Sequence, residues 1–148
     1  MGTAQQVRLA TLADLSAVAR LSSEWGYPTS EDLTRPRLER LLASSSHLVL
    51  VAEVDGTPAG WGTAEIRLSL GSDPRVEITG LVVGASFRRA GIGRSLVTRL
   101  ESWAFEKGCH ELFLRSNVAR SEAHPFYECL GYERSKTQHA YKKVLHAA

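Results

Sequence analysis

The most informative stretch of this chain is Phe87-Arg88-Arg89-Ala90-Gly91-Ile92-Gly93-Arg94-Ser95-Leu96. Its arginines and glycines stand at the start of an apolar stripe of helical period, which comprises Ile92, Leu96, Val97, Leu100, Trp103 and Ala104. The first turn of a helix has unpaired backbone N–H groups and a partial positive charge, and glycine lets a ligand approach that backbone closely. The stretch therefore predicts a site for a diphosphate or a similar anion at the N-terminus of a long helix that ends at Gly108.

Apolar runs on both sides of this helix predict a sheet. Residues 76–83 and 111–116 have the pattern of strands, and a strand-helix-strand crossover makes them parallel. Upstream, residues 48–52 and 59–70 are joined by the turn signal Asp55-Gly56, which is typical of an antiparallel hairpin. The sequence thus predicts a mixed α/β (α+β) fold: a central, mostly antiparallel sheet with one parallel crossover and flanking helices.

The two ends of the chain complete this prediction. Residues 7–9 have the pattern of a short strand, and two amphipathic helices follow it before the Ser44-Ser45-Ser46 break. After the crossover, an apolar stripe over residues 123–130 predicts a short helix that Gly131 closes. Residues 132–145 are expected to form a terminal hairpin.

Composition and charge limit the classes of protein to consider. The chain has 148 residues, 43% hydrophobic and 23% charged, with a formal net charge of +2. We expect one domain over residues 1–148, with residues 1–6 as a flexible tail, and no nucleic-acid or membrane surface. Cys109 and Cys129 fit neither a disulfide framework nor a zinc site, and no export signal or membrane span is evident. A cytoplasmic protein without a metal is the expectation.

Two nucleotide-binding motifs fit the glycine stretch poorly. A P-loop needs Gly-Lys-Ser/Thr, whereas Gly93 is followed by Arg94-Ser95. A dinucleotide fingerprint needs a third glycine where Leu96 stands, although Glu111 falls near the distance expected of a ribose-binding acid. NTP hydrolysis and nicotinamide binding are therefore disfavoured, and an enzyme that uses the stretch for another diphosphate stays as an alternative.

Two motifs resemble one known family. Arg88-x-x-Gly91-x-Gly93, behind a strand and opening a helix, is similar to the acetyl-coenzyme A (acetyl-CoA) pyrophosphate loop of the GCN5-related N-acetyltransferases (GNATs). Asn117 and the run Ala123-His124-Pro125-Phe126-Tyr127-Glu128-Cys129-Leu130-Gly131-Tyr132 resemble the second motif of that family. The chain departs from the pattern at Ala85, where the family often has proline, and at Pro125, which must fall in the first turn of its helix or kink it. The resemblance implies a GNAT-like acyl-CoA N-acyltransferase fold with acetyl-CoA as cosubstrate.

By this resemblance, backbone groups bind most of the cosubstrate. The pantetheine arm is expected beside the strand Leu81-Val82-Val83, where this strand splays from the strand at 111–116. Asn117 is expected to bind pantetheine or to order water near the sulfur. The loop supplies the other predicted cosubstrate contacts, which are Arg88, Arg89, Ala90, Gly91, Ile92, Gly93, Arg94 and Ser95.

The resemblance also implies an acid and a base. Tyr127 matches the family tyrosine that donates a proton to the leaving thiolate, which suits a phenol that is protonated at neutral pH; a core aromatic is the alternative. Glu77 lies eleven residues before Arg88, the offset of the catalytic glutamate of the histone-acetylating members; the alternative is a solvated charge. Glu65 is a weaker substitute. Strand alternation predicts that Glu77 and Leu81 share one face.

Trp25 and Tyr27 are the predicted acceptor-binding residues, since they lie in the connection between the first two helices, which helps wall the acceptor site in the family. The acidic residues around them, Glu24, Glu31 and Asp32, favour a cationic amine. The expected reaction is acetyl transfer from acetyl-CoA to a primary amine of a small molecule, by direct attack in a ternary complex. The alternatives are a non-catalytic acyl-CoA sensor and acetylation of a protein amino terminus or lysine. A homodimer is a family expectation alone.

Overall fold

A computed structural model describes residues 4–116 and 123–147 of the chain. The chain divides into two compact units, Met1–Arg115 and Ser116–Ala148. Among the described residues, the first unit contains the sheet with three α-helices, and the second contains one α-helix and the C-terminal segment. The single domain expected over residues 1–148 stays a prediction.

The first unit has a five-stranded sheet of order β1-β2-β3-β4-β5. The first four strands pair antiparallel, and β4 pairs with β5 in parallel, which confirms the predicted crossover. β1 includes Gln5 and Gln6, which pair with Val54 and Glu53, so these two residues do not belong to the expected tail. The bounds are β1 Gln5–Leu9, β2 His47–Val54, β3 Thr57–Arg67, β4 Arg75–Val83 and β5 Leu112–Leu114.

The three helices of the first unit begin where the sequence supplies a cap or a glycine. Thr11 and Asp14 form a capping box around a short 3-10 helix that leads into α1, and the Ser30 hydroxyl accepts from the Leu33 N–H at the start of α2. Gly91, in the left-handed conformation, precedes α3. The bounds are α1 Leu15–Glu24, α2 Glu31–Leu42, α3 Ile92–Glu106 and α4 Ala123–Cys129, with 3-10 helices at Leu12–Asp14 and Ala85–Phe87.

The sheet of the first unit buries both of its faces. On one face, Leu15 and Leu38 from α1 and α2 pack with Val49 and Val51 of β2, and Trp61 of β3 packs against this cluster. On the opposite face, α3 covers β2, β3 and β4 with its apolar stripe, all of which is buried. This layer structure follows from strand alternation, since Gly62 and Trp61 are successive residues on opposite faces.

The predicted terminal hairpin at residues 132–145 is wrong. Among the described residues of this segment there is no strand, and Tyr141, Val144 and Leu145 are exposed. Residues 133–139 contain none of the Gly, Pro, Asn or Asp residues that make a tight turn, and they contain no apolar side chain to bury. A hairpin without a tight turn or a buried face is not stable in water.

No helix in the described part of the chain is long and apolar enough to cross a membrane.

Candidate functional site

A β-bulge opens one edge of β4. Thr63 pairs with Gly80 and Ala64 pairs with Ile78, so Thr79 is an extra residue on β4. Parallel pairing with β5 is confined to residues 76–78, and from Thr79 onward the outer edge of β4 has no partner strand among the residues that the structure describes. This open edge agrees with the gap expected beside Leu81, Val82 and Val83.

The bulge also changes which face each side chain of β4 occupies. Glu77 points to the face of α1 and α2 with its register partner Glu65, while the Leu81 side chain lies near Gly62, Leu96 and Leu100 on the α3 face. The prediction that Glu77 and Leu81 share one face is therefore wrong, because the extra residue inverts the alternation between them.

The peptide groups of the open edge point outward at alternate residues. The Gly84 N–H donates to the Ala59 C=O of β3 at 2.7 Å, so the N–H and C=O of Val83 and, two residues earlier, those of Leu81 point away from β3. The indole N–H of Trp25 donates to the Val83 C=O at 3.0 Å. The edge thus offers backbone donors and acceptors in the pattern that an amide-containing chain needs for pairing like an added strand.

The loop before α3 has the features of an anion site. Gly91 is the N-cap residue, at φ 80°, and no side chain caps the helix, so the first N–H groups of α3 are left without a side-chain partner. Arg88, Arg89 and Arg94 are exposed around it, and Arg89 is left-handed at φ 64°. A diphosphate would complete the cap with charge-assisted hydrogen bonds from this backbone and from the guanidiniums.

Neighbouring residues hold the loop in place. The Gln5 side-chain amide donates to the Ala90 C=O at 2.8 Å, and the buried Ile92 side chain anchors the first turn of α3. The Ser95 hydroxyl donates to the Gly91 C=O at 3.0 Å, which leaves its oxygen, and no O–H, for a ligand. Gly93 follows Ile92 in the same turn. This uncapped turn begins nine residues after Val83, the last residue of β4.

Glu77 lies at the centre of an ion-pair cluster. The Glu77 side chain is 5% exposed, and its Oε2 accepts from Arg115 Nε at 3.0 Å. Its Oε1 accepts from Arg67 Nη1 at 3.1 Å and from Arg115 Nη2 at 3.4 Å. Glu65 accepts from the same Arg67 Nη1 at 3.2 Å and lies 3.0 Å from Nε2 of His47. Glu77 is thus a buried carboxylate with two arginine partners rather than a solvated charge.

Sequence reasoning missed the two arginines of this cluster. Arg67 has a weak local signal, since Glu65 and Arg67 are alternate residues on one predicted strand and so share a face. Arg115 has none, because its contact with Glu77 depends on the parallel register of β4 with β5.

Tyr127 lies in the second unit, on α4. Pro125 is the third residue of this helix and falls in its first turn, where its missing N–H costs no hydrogen bond. The Tyr127 ring is half-buried, edge-on to Phe126 at 5.0 Å and to Tyr132 at 6.1 Å between ring centroids. Gly131, at φ 91°, ends the helix as predicted. The predicted residue Asn117 lies outside the described residues.

The two predicted acceptor residues differ in their surroundings. Trp25 bonds to Val83 on the open edge, and the Arg88 guanidinium lies 5.0 Å from the centroid of its ring. Trp25 therefore links the connection between α1 and α2 to both parts of the predicted cosubstrate site. Tyr27 is exposed.

Within residues 4–116 and 123–147, no group of three or more His, Cys, Asp or Glu side chains is placed to hold a metal ion.

Comparisons with known proteins relate the chain to acetyltransferases. The model of a family described as the acetyltransferase (GNAT) family matches residues 14–132. A protein of Stenotrophomonas maltophilia named aminoglycoside N(6')-acetyltransferase type 1 is 28% identical over 142 residues, which cover 92% of this chain and 91% of that protein. A protein of the same name from Salmonella typhimurium is 27% identical over 109 residues, 71% of this chain and 75% of that protein.

Solved structures have the same fold. An aminoglycoside N-acetyltransferase, AAC(6')-Iy, in complex with CoA has a TM-score of 0.87 at 23% identity and covers 98% of each chain. A structure described as a transcriptional regulator from Bacillus halodurans C-125 has a TM-score of 0.85 at 22% identity and covers 95% of this chain and 100% of that one. At these identities the likeness confirms the predicted fold class alone.

Proposed function

Because the chain belongs to the GNAT family of acetyltransferases and is an N-acetyltransferase with acetyl-CoA as cosubstrate, we propose that it acetylates a primary amine of a small molecule by direct attack in a ternary complex. The observation that carries this proposal is the continuity of two features. The open edge of β4 runs toward Val83, and the uncapped first turn of α3 follows within the next nine residues. Together they supply backbone partners for pantetheine amides and for a pyrophosphate.

The proposed contacts divide along this surface. The outward N–H and C=O of Leu81 and the N–H of Val83, whose C=O accepts from Trp25, bind pantetheine. Val82, buried between them, fixes the strand in the sheet. The backbone of residues 90–93 and the side chains of Arg88, Arg89 and Arg94 bind the phosphates. Asn117 and Tyr27 keep their predicted roles, whereas Trp25 is proposed to act at the cosubstrate edge. Ser95 is proposed to support the first turn of α3, since its O–H bonds to the Gly91 C=O.

The reaction needs two proton transfers. The neutral amine nitrogen attacks the thioester carbon, the new C–N bond forms, and the C–S bond breaks. The Tyr127 hydroxyl is proposed to donate its proton to the leaving thiolate, and Glu77 is proposed to accept the proton that the amine loses, directly or through water. Arginine N–H groups occupy three of the roughly four acceptor sites of the Glu77 carboxylate, so the proton would go to the remaining site on Oε2.

The first experiment separates binding from turnover. Thermal unfolding is measured with acetyl-CoA, CoA, ATP and NAD, because a ligand that binds only the folded state raises the apparent stability. We expect a shift with acetyl-CoA and CoA, and thiol release when amines are added. A larger shift with ATP or NAD contradicts the proposal, and a shift without thiol release across an amine panel supports a sensor instead.

Two pairs of variants test the proton transfers. Tyr127→Phe is expected to lower kcat by about 10²-fold or more, while Tyr132→Phe, its ring neighbour, leaves kcat unchanged. Glu77→Gln is expected to lower kcat by about 10²-fold or more, whereas Glu65→Gln, its register partner on β3, has the wild-type kcat. If Tyr127→Phe has the wild-type rate across pH, its role as the acid is wrong.

The curated relatives are named for aminoglycoside acetylation, so aminoglycosides enter the amine panel beside amino acids and simple amines. The homodimer stays a prediction, which light scattering of the purified protein tests.

A further inference from the structure

We propose that Arg67 and Arg115 form a binding site for an oxyanion of the acceptor, so that the amine substrate also carries a carboxylate or a phosphate. This inference rests on the proposed acetylation of a small-molecule amine, and it names the chemical class of that amine. It also departs from the polycationic acceptor class for which the curated relatives are named.

The cluster around Glu77 has its negative charges inside and its positive charges outside. The side chains of Glu77 and Glu65 are 5% and 24% exposed, whereas those of Arg67 and Arg115 are 47% and 66% exposed. A guanidinium has five N–H donors in a planar fork. Arg67 bonds to the two carboxylates through Nη1, and Arg115 bonds to Glu77 through Nε and Nη2. A ligand that approaches this cluster therefore meets guanidinium groups first, and they have further N–H donors to offer.

The position of the cluster relates it to the reacting end of the cosubstrate. Glu77 lies two residues, about 7 Å, before Thr79, where the open edge of β4 begins. Arg115 directly follows Leu114, the last residue of β5, which pairs with Ile78. The anion loop lies beyond the other end of the open edge, after Val83. A cosubstrate with its phosphates at Gly91 and its pantetheine along Val83 and Leu81 would thus direct its thioester toward Thr79 and the arginine pair.

The charges of the cluster disfavour a polycation. Each carboxylate already has an arginine partner that balances its charge, so an ammonium group gains less from an ion pair with Glu77 or Glu65. An ammonium group close to the exposed guanidiniums is also repelled by their like charge. A carboxylate or phosphate instead bonds to the exposed forks, which match its geometry.

The acidic residues near Trp25 do not reverse this balance. Glu31 and Asp32 lie in the first turn of α2, where a negative charge stabilises the helix, and Glu31 accepts from the Ser16 hydroxyl at 2.7 Å. The same helix carries arginines at positions 35, 37 and 40. The cationic acceptor that these acids suggested is thus less favoured than an anionic one.

Matched pairs of amines test the inference. Thiol release from acetyl-CoA is measured with 4-aminobutyrate and several α-amino acids, each beside its carboxamide, with 2-aminoethyl phosphate beside ethanolamine, and with kanamycin. We expect at least one anionic amine to exceed its neutral partner by 10-fold or more in kcat/KM, and to exceed kanamycin. If the neutral partners are equal to the anionic amines, or if kanamycin exceeds every anionic amine, the inference is wrong.

Charge-removing variants assign the effect to the two arginines. Arg67→Gln and Arg115→Gln are each expected to raise KM for the anionic amine by about 10-fold or more, with KM for acetyl-CoA unchanged. Arg99→Gln removes the same charge from α3 on the opposite side of the sheet and is expected to leave both values unchanged. A KM for the anionic amine that is equal in all three variants and the wild type overturns the inference.

A binding measurement distinguishes failure of this inference from failure of the proposed function. If no amine releases thiol although acetyl-CoA stabilises the protein, the proposed function fails. Stabilisation of the CoA complex by the same anions is then compared in the wild type and in Arg115→Gln. Loss of the thermal shift in the variant supports the oxyanion site, and absence of any shift in the wild type overturns it.

Discussion

Gly60 on β3 is the position at which one added methyl group should disturb both the fold and the cosubstrate edge. A Cβ at Gly60 would lie 2.6 Å from the Val82 carbonyl oxygen and 3.3 Å from Cγ2 of Ile92. The first neighbour is backbone of the open strand, and the second anchors the first turn of α3, where the phosphate site is proposed. Neither can move away as the end of a flexible side chain does, so β4 must shift.

Two opposing terms determine the expected size of the effect of Gly60→Ala. Overpacking of this kind costs about 1–3 kcal/mol, while replacing glycine at an ordinary backbone conformation stabilises by about 0.4–1 kcal/mol through the unfolded state. The net expected loss is about 1–2 kcal/mol in the free energy of unfolding. The Kd for acetyl-CoA should rise as well, because the residue that must move precedes Val83.

Gly62→Ala is the matched control, on the same strand and the same face. Its Cβ would have its nearest neighbours at 3.5, 3.6 and 3.7 Å, which are ordinary contacts. We expect this variant to be as stable as the wild type or slightly more stable, with an unchanged Kd. In urea denaturation, Gly60→Ala should lower the midpoint by about 0.5–1 M and Gly62→Ala should not lower it. Equal midpoints for the two variants would refute the steric argument.

Three further predictions concern other parts of the first unit. The Arg8 guanidinium, bonded to both oxygens of Asp14 at 2.8 Å, lowers the pKa of this buried carboxyl, and the Thr11 N–H adds to the effect. A carboxyl whose pKa is lower in the folded state stabilises the fold at pH values above its unfolded pKa of about 3.9. Asp14→Asn should therefore lower the free energy of unfolding by about 2–4 kcal/mol at pH 7. The difference from the wild type should shrink as pH falls below 4, and a constant difference in urea titrations from pH 7 to 3 would contradict this. Arg89→Gly should relieve the strain of φ 64° and raise stability by about 0.5–1 kcal/mol, while Arg89→Asn, which also favours this conformation, gives a smaller gain. Both variants should weaken acetyl-CoA binding measured by calorimetry. Unchanged binding would show that Arg89 does not contact the phosphates. Trp25→Phe should abolish most of the change in tryptophan emission when acetyl-CoA binds, because the Trp25 indole bonds to Val83. Trp103→Phe, at a buried position of α3, should retain the change. The reverse result would contradict the placement of Trp25 at this edge.

The sequence alone predicted the elements that local patterns specify. Asp55-Gly56 makes its hairpin turn because both residues are left-handed, at φ 50° and 81°, as such a turn requires. The crossover through α3 followed from the apolar stripe of Ile92 and Leu96 between two strand-like runs, and the helix began after Gly91 as expected.

The features that sequence reasoning missed depend on register between distant segments. The extra residue Thr79 has no local signal, since a bulge is defined by the partner strand as much as by its own. The pairing of Glu77 with Arg115 joins residues 38 positions apart through a parallel ladder of three pairs. The bond from Trp25 to Val83 likewise joins an irregular connection to a strand end.

The bond from the Gln5 amide to the Ala90 carbonyl has a dynamic consequence. β1 is an edge strand that pairs with β2 on one side only, and such strands open more readily than central ones. Because coupling between two sites is reciprocal, a ligand that orders the loop at Ala90 should also slow the opening of β1, 85 residues away in sequence. Slower hydrogen exchange in β1 on addition of acetyl-CoA would reveal this coupling. A bulky tag fused just before Gln5 should weaken the binding of acetyl-CoA without contacting it.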